Sequence, residues 1–291
     1  MRAAALGFFD GVHLGHAALL DKISAAQGLT PCVVTFDRQP SGAISGETVP
    51  LINSASDRAY ILEKYFGITD IVELVFDEKL QKTDRSAFLD LLEMLEISHI
   101  VAGSDYRFGA SGAGNAEYLF LEASQRKIGC EIVDEVTLDG ENVRSTSIRA
   151  MIAEGETERA ARFLGHPHIL GGTVAHGRKI GRTIGLPTLN LPLPDGIQPP
   201  RFGVYATRTV ISGETLPSVT NVGRNPTVGA DGISVETHIP NWSGNAYGER
   251  VVLEFGKFLR PEQKFGGLDA LKKQIEIDKA EALEYWRERE G

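Results

Sequence analysis

Residues Gly7-Phe8-Phe9-Asp10-Gly11-Val12-His13-Leu14-Gly15-His16 join an apolar run to an amphipathic one, and they decide the architecture of the first half of the chain. The apolar run that leads into them, Ala3–Phe9, has the length and composition of a strand buried on both faces. The segment that follows, His16–Gln27, places Leu19, Leu20, Ile23 and Ala26 on one side of a helix. Glycines in a strand-to-helix turn let the backbone approach a ligand closely. The helix N-terminus adds unpaired N–H groups and the positive end of a dipole, which attract phosphate. His13 and His16 are three apart, so both imidazoles fall on one side of the first turn. A histidine pair alone reads more often as a capped helix end with two solvated side chains. The glycine and strand context favours a polyphosphate cradle with two neutral-to-cationic donors. The spacing and the lack of an obvious third ligand argue against zinc.

The same rhythm continues to about residue 134. Further apolar runs at Cys32–Phe36, Ile71–Phe76, His99–Ala102 and Cys130–Val133 alternate with helical patterns at Ala59–Phe66 and Arg85–Leu95. Strand–helix repetition predicts a Rossmann-like, doubly wound parallel sheet whose ligands sit at the carboxyl ends of the strands. Two short helices, Ser147–Glu154 and Glu156–Leu164, are split by Gly155, and a boundary near Gly165–His168 divides the chain into domains 1–165 and 166–291. Beyond it, Gly203–Ile211, Ser218–Val222, Ser234–Ile239 and Val251–Phe258 are short runs rich in Val, Thr, Tyr and Phe, set off by Gly and Pro. They predict an antiparallel β-barrel, followed by a helix from Leu268 to about Arg287 with Leu271, Ile275, Ala282 and Trp286 near one stripe.

The chain has 291 residues, which fits two domains of about 150 residues each. Its 42% hydrophobic and 24% charged residues exclude disordered, collagen-like and disulfide-scaffold classes. With 39 acidic against 30 basic residues, a net charge of -9, it lacks the broad basic surface of a non-specific nucleic-acid binder. A local pocket for one small anion remains open. Cys32 and Cys130 each lie in an apolar run and read as small buried hydrophobes of a reducing, cytoplasmic protein. No apolar stretch approaches the roughly 18 residues of a membrane span. The opening Met1–Phe9 runs at once into Asp10 and His13, unlike a signal peptide.

A second anion element is Arg144-Ser145-Thr146-Ser147-Ile148-Arg149, read as lying just before a helix. An ordinary N-cap explains one hydroxyl. It does not explain three, nor Arg149 in a first turn where a cation opposes the dipole. A bound phosphate removes that conflict.

The densest signal is Gly177-Arg178-Lys179-Ile180-Gly181-Arg182-Thr183-Ile184-Gly185-Leu186-Pro187-Thr188-Leu189-Asn190. Backbone N–H groups in such a loop can wrap phosphates, although it is not a Walker loop. Thr188 and Asn190 are two apart, so on a strand they share a face, and their oxygens suit a hard cation such as Mg²⁺. Downstream, Glu236 and His238 share a face opposite Val235 and Ile239. That face is either solvated or, beside a metal-bound phosphate, the place of a general base. The residues alone leave both readings open.

The motif Gly-x-Phe-Asp-Gly-Val-His-x-Gly-His, then Gly103-Ser104-Asp105-Tyr106-Arg107-Phe108-Gly109, then Ser145-Thr146-Ser147-Ile148-Arg149 resemble the signatures of the nucleotidyltransferase half of the bacterial bifunctional riboflavin kinase/FMN adenylyltransferase (FAD synthetase) family. Residues from about 168 to 286 resemble its riboflavin kinase half. The matching stretches are the 177–190 loop, Gly203-Val204-Tyr205, Asn221–Thr227, Val235-Glu236-Thr237-His238, Tyr247-Gly248 and Leu259–Phe265. The resemblance implies adenylylation of FMN by ATP in the first half and phosphorylation of riboflavin in the second, with Mg²⁺, with riboflavin, FMN and ATP as small-molecule substrates and with no nucleic-acid or membrane partner. It implies that His13, His16 and Arg149 act on ATP phosphates with Gly7, Phe9, Asp10, Gly15, Ser145 and Thr146. Asp105, Arg107, Phe108 and Gly109 would border the flavin nucleotide. In the kinase half, Gly177, Gly181, Arg182, Thr183 and Gly185 would cover ATP phosphates. Thr188 and Asn190 would hold Mg²⁺, Glu236 would activate the riboflavin hydroxyl, and Arg260 and Trp242 would border the flavin.

The chain departs from the family pattern at Thr35-Phe36-Asp37-Arg38-Gln39-Pro40, where Thr-Phe-x-Pro-His-Pro is usual, and at Arg144, where a serine is common. Gln39 cannot become cationic as imidazole can, and Arg38 is the candidate for the missing charge. Two alternatives follow: a chain with kinase activity alone, or a non-catalytic flavin- or nucleotide-binding regulator.

Overall fold

The apolar runs of the first half form β1 (Arg2–Leu6), β2 (Thr30–Phe36), β3 (Asp70–Leu74), β4 (Ile97–Gly103) and β5 (Gly129–Val133), hydrogen-bonded in the order β3-β2-β1-β4-β5. Every neighbouring pair is parallel. The order reverses between β1 and β4, so the ligand crevice of such a sheet opens at their carboxyl ends. This is the computed structural model of residues 1–40, 42, 46, 48–175, 187–224 and 232–290. Its two compact units are Met1–Val49 with Arg58–Ser145, and Pro50–Asp57 with Thr146–Gly291.

The helices joining the strands are α1 (Leu14–Ala25), α2 (Ala55–Phe66), the single turn α3 (Glu78–Gln81), α4 (Arg85–Met94) and α5 (Ala116–Gln125). One face of the sheet, with Ala4, Leu6, Cys32, Val34, Ile100 and Ala102, packs on Phe88, Leu89 and Leu92 of α4 and Leu119 and Ala123 of α5. The expectation of strands buried on both faces fails at β3 and β5. Neither has a fully buried residue, because each is an edge with a neighbour on one side only. β1 also stops at Leu6, short of the expected Phe9, because the chain turns through positive φ from Phe9 onward. A short hairpin, β6 (Thr137–Leu138) and β7 (Glu141–Asn142), precedes α6 (Ser145–Glu154). The helix begins two residues earlier than expected, so Ser145–Ile148 form its first turn rather than a lead into it. Cys32 and Cys130 are both free thiols.

In the second unit, α7 (Thr157–Leu164) follows α6 across Gly155, whose φ of 79° ends the first helix. The strands β8 (His168–Thr173), β9 (Leu189–Pro192), β10 (Gly203–Ile211), β11 (Glu214–Arg224), β12 (Ile233–His238) and β13 (Arg250–Arg260) pair antiparallel in the order β8-β13-β10-β11-β12-β9. An isolated bridge from Ala175, just after β8, to Asn190 curls the two end strands toward each other. Leu170, Leu191, Tyr205, Val222, Val235 and Phe255 belong to its core. The threonines have a role of their own: buried Thr207, Ser218, Thr220 and Thr237 satisfy one another in a ladder of hydroxyl bonds of 2.7–2.8 Å across β10, β11 and β12.

The last helix, α8 (Leu268–Glu290), lays Ala282, Tyr285 and Trp286 on Val204, Ala206 and Val219. Its approach needs Gly256, where a Cβ would lie 2.4 Å from Tyr285 Cε1. Pro50–Asp57 stands between β2 and β3 in sequence but is held to barrel strands. Asn53 Nδ2 donates to Ile169 O at 2.8 Å, and the Asp57 carboxylate accepts from Gly171 N and Arg250 Nη2 at 3.1 and 2.7 Å. Among the described residues no helix is long and apolar enough to cross a membrane.

Candidate functional site

The first site follows β1. Phe9, Gly11 and Val12 take positive φ of 58°, 85° and 42°. For a branched side chain such as Val12 this costs about 1–3 kcal/mol, the kind of strain that collects at working turns. The turn delivers His13 to the N-cap of α1, where a reciprocal pair forms. His13 Nδ1 accepts the His16 N–H at 3.4 Å, and His16 Nδ1 accepts the His13 N–H at 3.2 Å. The rings stack at 3.7 Å. A ring nitrogen that accepts carries no proton, so each neutral ring keeps its proton on Nε2. Desolvation first, then His13 and Arg58, hold His16 well below its usual pKa. At His16 the expected neutral-to-cationic donor is therefore a neutral one. Gly15 leaves room for this arrangement, since a Cβ there would lie 3.1 Å from the His13 ring.

A cavity of about 500 Å³ opens at the carboxyl ends of β1 and β4, lined by Gly7, His13, Gly15, His16, Asp105, Arg107 and Ser145 among others. Ser145 does not cap its helix; its Oγ donates to the Asp10 carbonyl at 2.9 Å and ties α6 to the glycine turn. Phe9 and Asp10 lie buried beneath the turn. Phe108 packs in the core against Tyr106 and Phe88, and Gly109 sits so close to Arg85 that a Cβ would meet its Cα at 2.8 Å. These four shape the site from outside the cavity wall. Thr146 and Arg149 fall in the second unit, where Arg149 Nη2 donates to Thr146 Oγ1 at 3.1 Å. Arg38 is exposed and paired with Asp37 at 2.9 Å, so the structure does not bring it to the cavity that Pro40 lines.

The second site lies on the barrel. Asn190 on β9 stands directly opposite Glu236 on β12, and Glu236 stands opposite Asn221 on β11. Thr188 lies one residue before β9 and lines a cavity with Glu236. A cavity of about 380 Å³ is lined by Thr188, Asn221, Glu236, His238 and Arg260. His238 Nδ1–H donates to Pro187 O at 2.9 Å, steadying the chain next to Thr188. Arg260 is held by buried Asp278 through Nε to Oδ1 at 2.9 Å and Nη2 to Oδ2 at 2.7 Å, with Gln274 adding a bond to Oδ1. Trp242 is not beside Arg260. It lines a separate cavity of about 260 Å³ with Tyr247 and Pro187, and Thr188 borders both spaces. Gly177, Gly181, Arg182, Thr183 and Gly185 lie outside the described residues.

Among the described residues no cluster of three His, Cys, Asp or Glu side chains is placed to hold a metal. Thr188 and Asn190 instead offer a hydroxyl and an amide oxygen, with the Glu236 carboxylate opposite. An all-oxygen, sparsely charged set suits Mg²⁺, which keeps waters and substrate phosphates as its other ligands.

The FAD synthetase family model matches residues 1–147, and the riboflavin kinase family model matches residues 164–286. The bifunctional riboflavin kinase/FMN adenylyltransferase of Listeria monocytogenes serovar 1/2a is 36% identical over 98% of this chain and 92% of its own length. The chain belongs to the bifunctional riboflavin kinase/FMN adenylyltransferase family. The Bacillus subtilis (strain 168) member is 34% identical over 97% of this chain and 91% of its own. A crystal structure titled as a macrolide-efflux protein from Streptococcus pneumoniae superposes with a TM-score of 0.80 at 30% identity, covering 96% of this chain and 93% of that one.

In this riboflavin kinase/FMN adenylyltransferase, one buried charge behind the cavity-lining Phe8 was not singled out by the sequence. Arg58 is 4% exposed, with its guanidinium carbon 4.3 Å from the centre of the Phe8 ring. No motif carries it. The sequence signal was a charged residue on a helix that also buries Asp57, Ile61 and Leu62.

Proposed function

We infer that the chain makes FAD in two steps at two sites. The barrel transfers the γ-phosphoryl group of ATP to the 5′-hydroxyl of riboflavin, giving FMN and ADP. At the first site the FMN phosphate attacks the α-phosphorus of a second ATP, the bond to the bridging oxygen breaks, and FAD and pyrophosphate leave. Residues 1–165 serve as the adenylyltransferase domain and 166–291 as the kinase domain of a cytoplasmic enzyme.

The pairing of Asn190 with Glu236 carries the kinase reading. It sets a carboxylate that can take the hydroxyl proton beside oxygens that can hold a phosphate-bound cation. Thr188 and Asn190 would hold Mg²⁺, which when bound neutralises phosphate charge. Thr188 borders both cavities, so phosphoryl transfer between an occupant of each can pass beside it. The larger cavity, with Arg260 fixed by Asp278, takes the flavin. The smaller, walled by Trp242, suits the base of ATP better than the flavin ring.

At the first site, His13 and His16 donate from Nε2 to ATP phosphate oxygens, and Ser145 receives the pyrophosphate end. Asp105 and Arg107 border FMN. Neither transfer needs a protein nucleophile; positioning and charge do the work. Purified protein given riboflavin, ATP and Mg²⁺ should yield FMN and then FAD. FMN without FAD would leave a kinase alone, and bound but unchanged riboflavin would leave a regulator.

A further inference from the structure

Arg58 is a buried cation that the adenylyl transfer described above does not use. It packs where α2 meets the carboxyl ends of β1 and β2. The guanidinium stacks over Phe8, Nη2 reaches Phe36 O at 3.5 Å, and Nη1 is buried without a hydrogen-bond partner. Among the described residues it forms no ion pair; Asp10 and Glu73 act on it only through their charge, against the desolvation that lowers its pKa. Taking a guanidinium out of water without a contacting counter-ion is unfavourable, and an apolar side chain would fill the same space without that cost.

Its surroundings point to a use for the charge. Phe8 and His16 line the phosphate cavity, and Arg58 lies behind them. His16 is faced by the His13 ring at 3.7 Å, the Phe9 ring at 4.9 Å and the positive field of Arg58. A second buried polar atom, Gln39 Oε1, is also without a partner three residues beyond Phe36. Among the described residues, an orphaned donor and an orphaned acceptor lie at one end of β2.

We propose that Arg58 is the fixed cation of the adenylyl-transfer site, offsetting from behind Phe8 and His16 the charge of a bound triphosphate and of the departing pyrophosphate. It does the task that Arg38, paired with Asp37 at the surface, does not reach. Arg58 touches no reacting atom and is a positioning residue. The proposal rests on the adenylyltransferase reading of the first unit.

The test uses the full chain with Arg58→Met and Arg58→Lys. FAD formation from supplied FMN, inhibition by pyrophosphate, FMN formation from riboflavin and Tm are measured on the same samples. Arg58→Met should keep or raise Tm, keep FMN formation, and lose about ten-fold or more in both FAD formation and pyrophosphate affinity. Arg58→Lys should recover most of that loss. NMR of the Arg58→Met protein should show His16 titrating at a higher pH than in the parent. FAD formation within about two-fold of the parent in Arg58→Met would overturn the proposal. So would a lower Tm with both activities lost, or a Lys variant as impaired as the Met variant. A parent chain that makes no FAD from FMN would instead remove the underlying reading, before any variant is made.

Discussion

His13 and His16 cap one helix end with each other's backbone, each Nδ1 accepting the other's N–H while the rings stack at 3.7 Å. Capping and ligand binding, which compete as readings of the sequence, are here one arrangement. The Nδ1 atoms hold the helix, and the proposed function uses the Nε2–H groups toward phosphate. His16→Ala should therefore lower stability by about 1 kcal/mol through the lost cap and slow FAD formation about 100-fold, leaving FMN formation intact. Equal loss of both activities in folded protein would contradict this.

The same pair has a pH signature. Burial holds the His16 pKa well below its usual value, so the ring stays neutral as pH falls from 8 toward 6.5 and protonates only further down. NMR titration should show no His16 midpoint near 6.5. A midpoint there would mean that the ring is solvated and cationic during turnover.

Glu236 stands opposite Asn190 and lines the larger barrel cavity, where the proposed function uses it as the proton acceptor of the kinase step. Glu236→Gln keeps the shape and removes the base. FMN formation should fall about 100- to 10,000-fold, while FAD formation from supplied FMN continues. Joint loss of both would reject independent sites.

Arg260, proposed to border the flavin, is held by Asp278, 3% exposed at its side chain. Removing one partner of a buried ion pair commonly costs about 3–5 kcal/mol. Asp278→Asn should lower Tm and raise the KM for riboflavin more than it lowers kcat. A purely thermal effect with an unchanged KM would show that the pair is structural.

His168 in β8 is completely buried, and desolvation, followed by the neighbouring His166, lowers its pKa to about 4. Its folded pKa lies below the unfolded value of about 6.5, so the unfolded chain binds more protons between the two. Stability is fully present above about pH 6.5 and declines as pH falls toward 4, by up to about 3 kcal/mol. His168→Leu should flatten the loss of Tm between pH 7 and pH 5. An unchanged slope would place the acid sensitivity elsewhere.

Local chemistry made much of this legible. The run at Gly203–Ile211 is β10 without adjustment, and the histidine motif marks the α1 cap that lines the first cavity. What escaped depended on long-range partners. β3 and β5 read like central strands, because a sequence does not announce which strand has a neighbour on one side only. Asn190 and Glu236 meet through register between barrel strands. Trp242 follows β12 by a few residues yet lines a different space from Arg260. Asn53 and Asp57 reach barrel strands more than a hundred residues away. Arg58 stands outside every motif, and only its burial reveals it.

The central claim is that two sites attack two different phosphorus atoms of ATP. The direct measurement supplies riboflavin with ATP labelled at the γ- or the α-phosphorus and separates the flavins. The γ-label should appear in FMN and persist into FAD, while the α-label should enter FAD alone, with Glu236→Gln abolishing the first transfer and sparing FAD made from supplied FMN. An α-label in FMN, or FAD that never acquires one, would contradict the account.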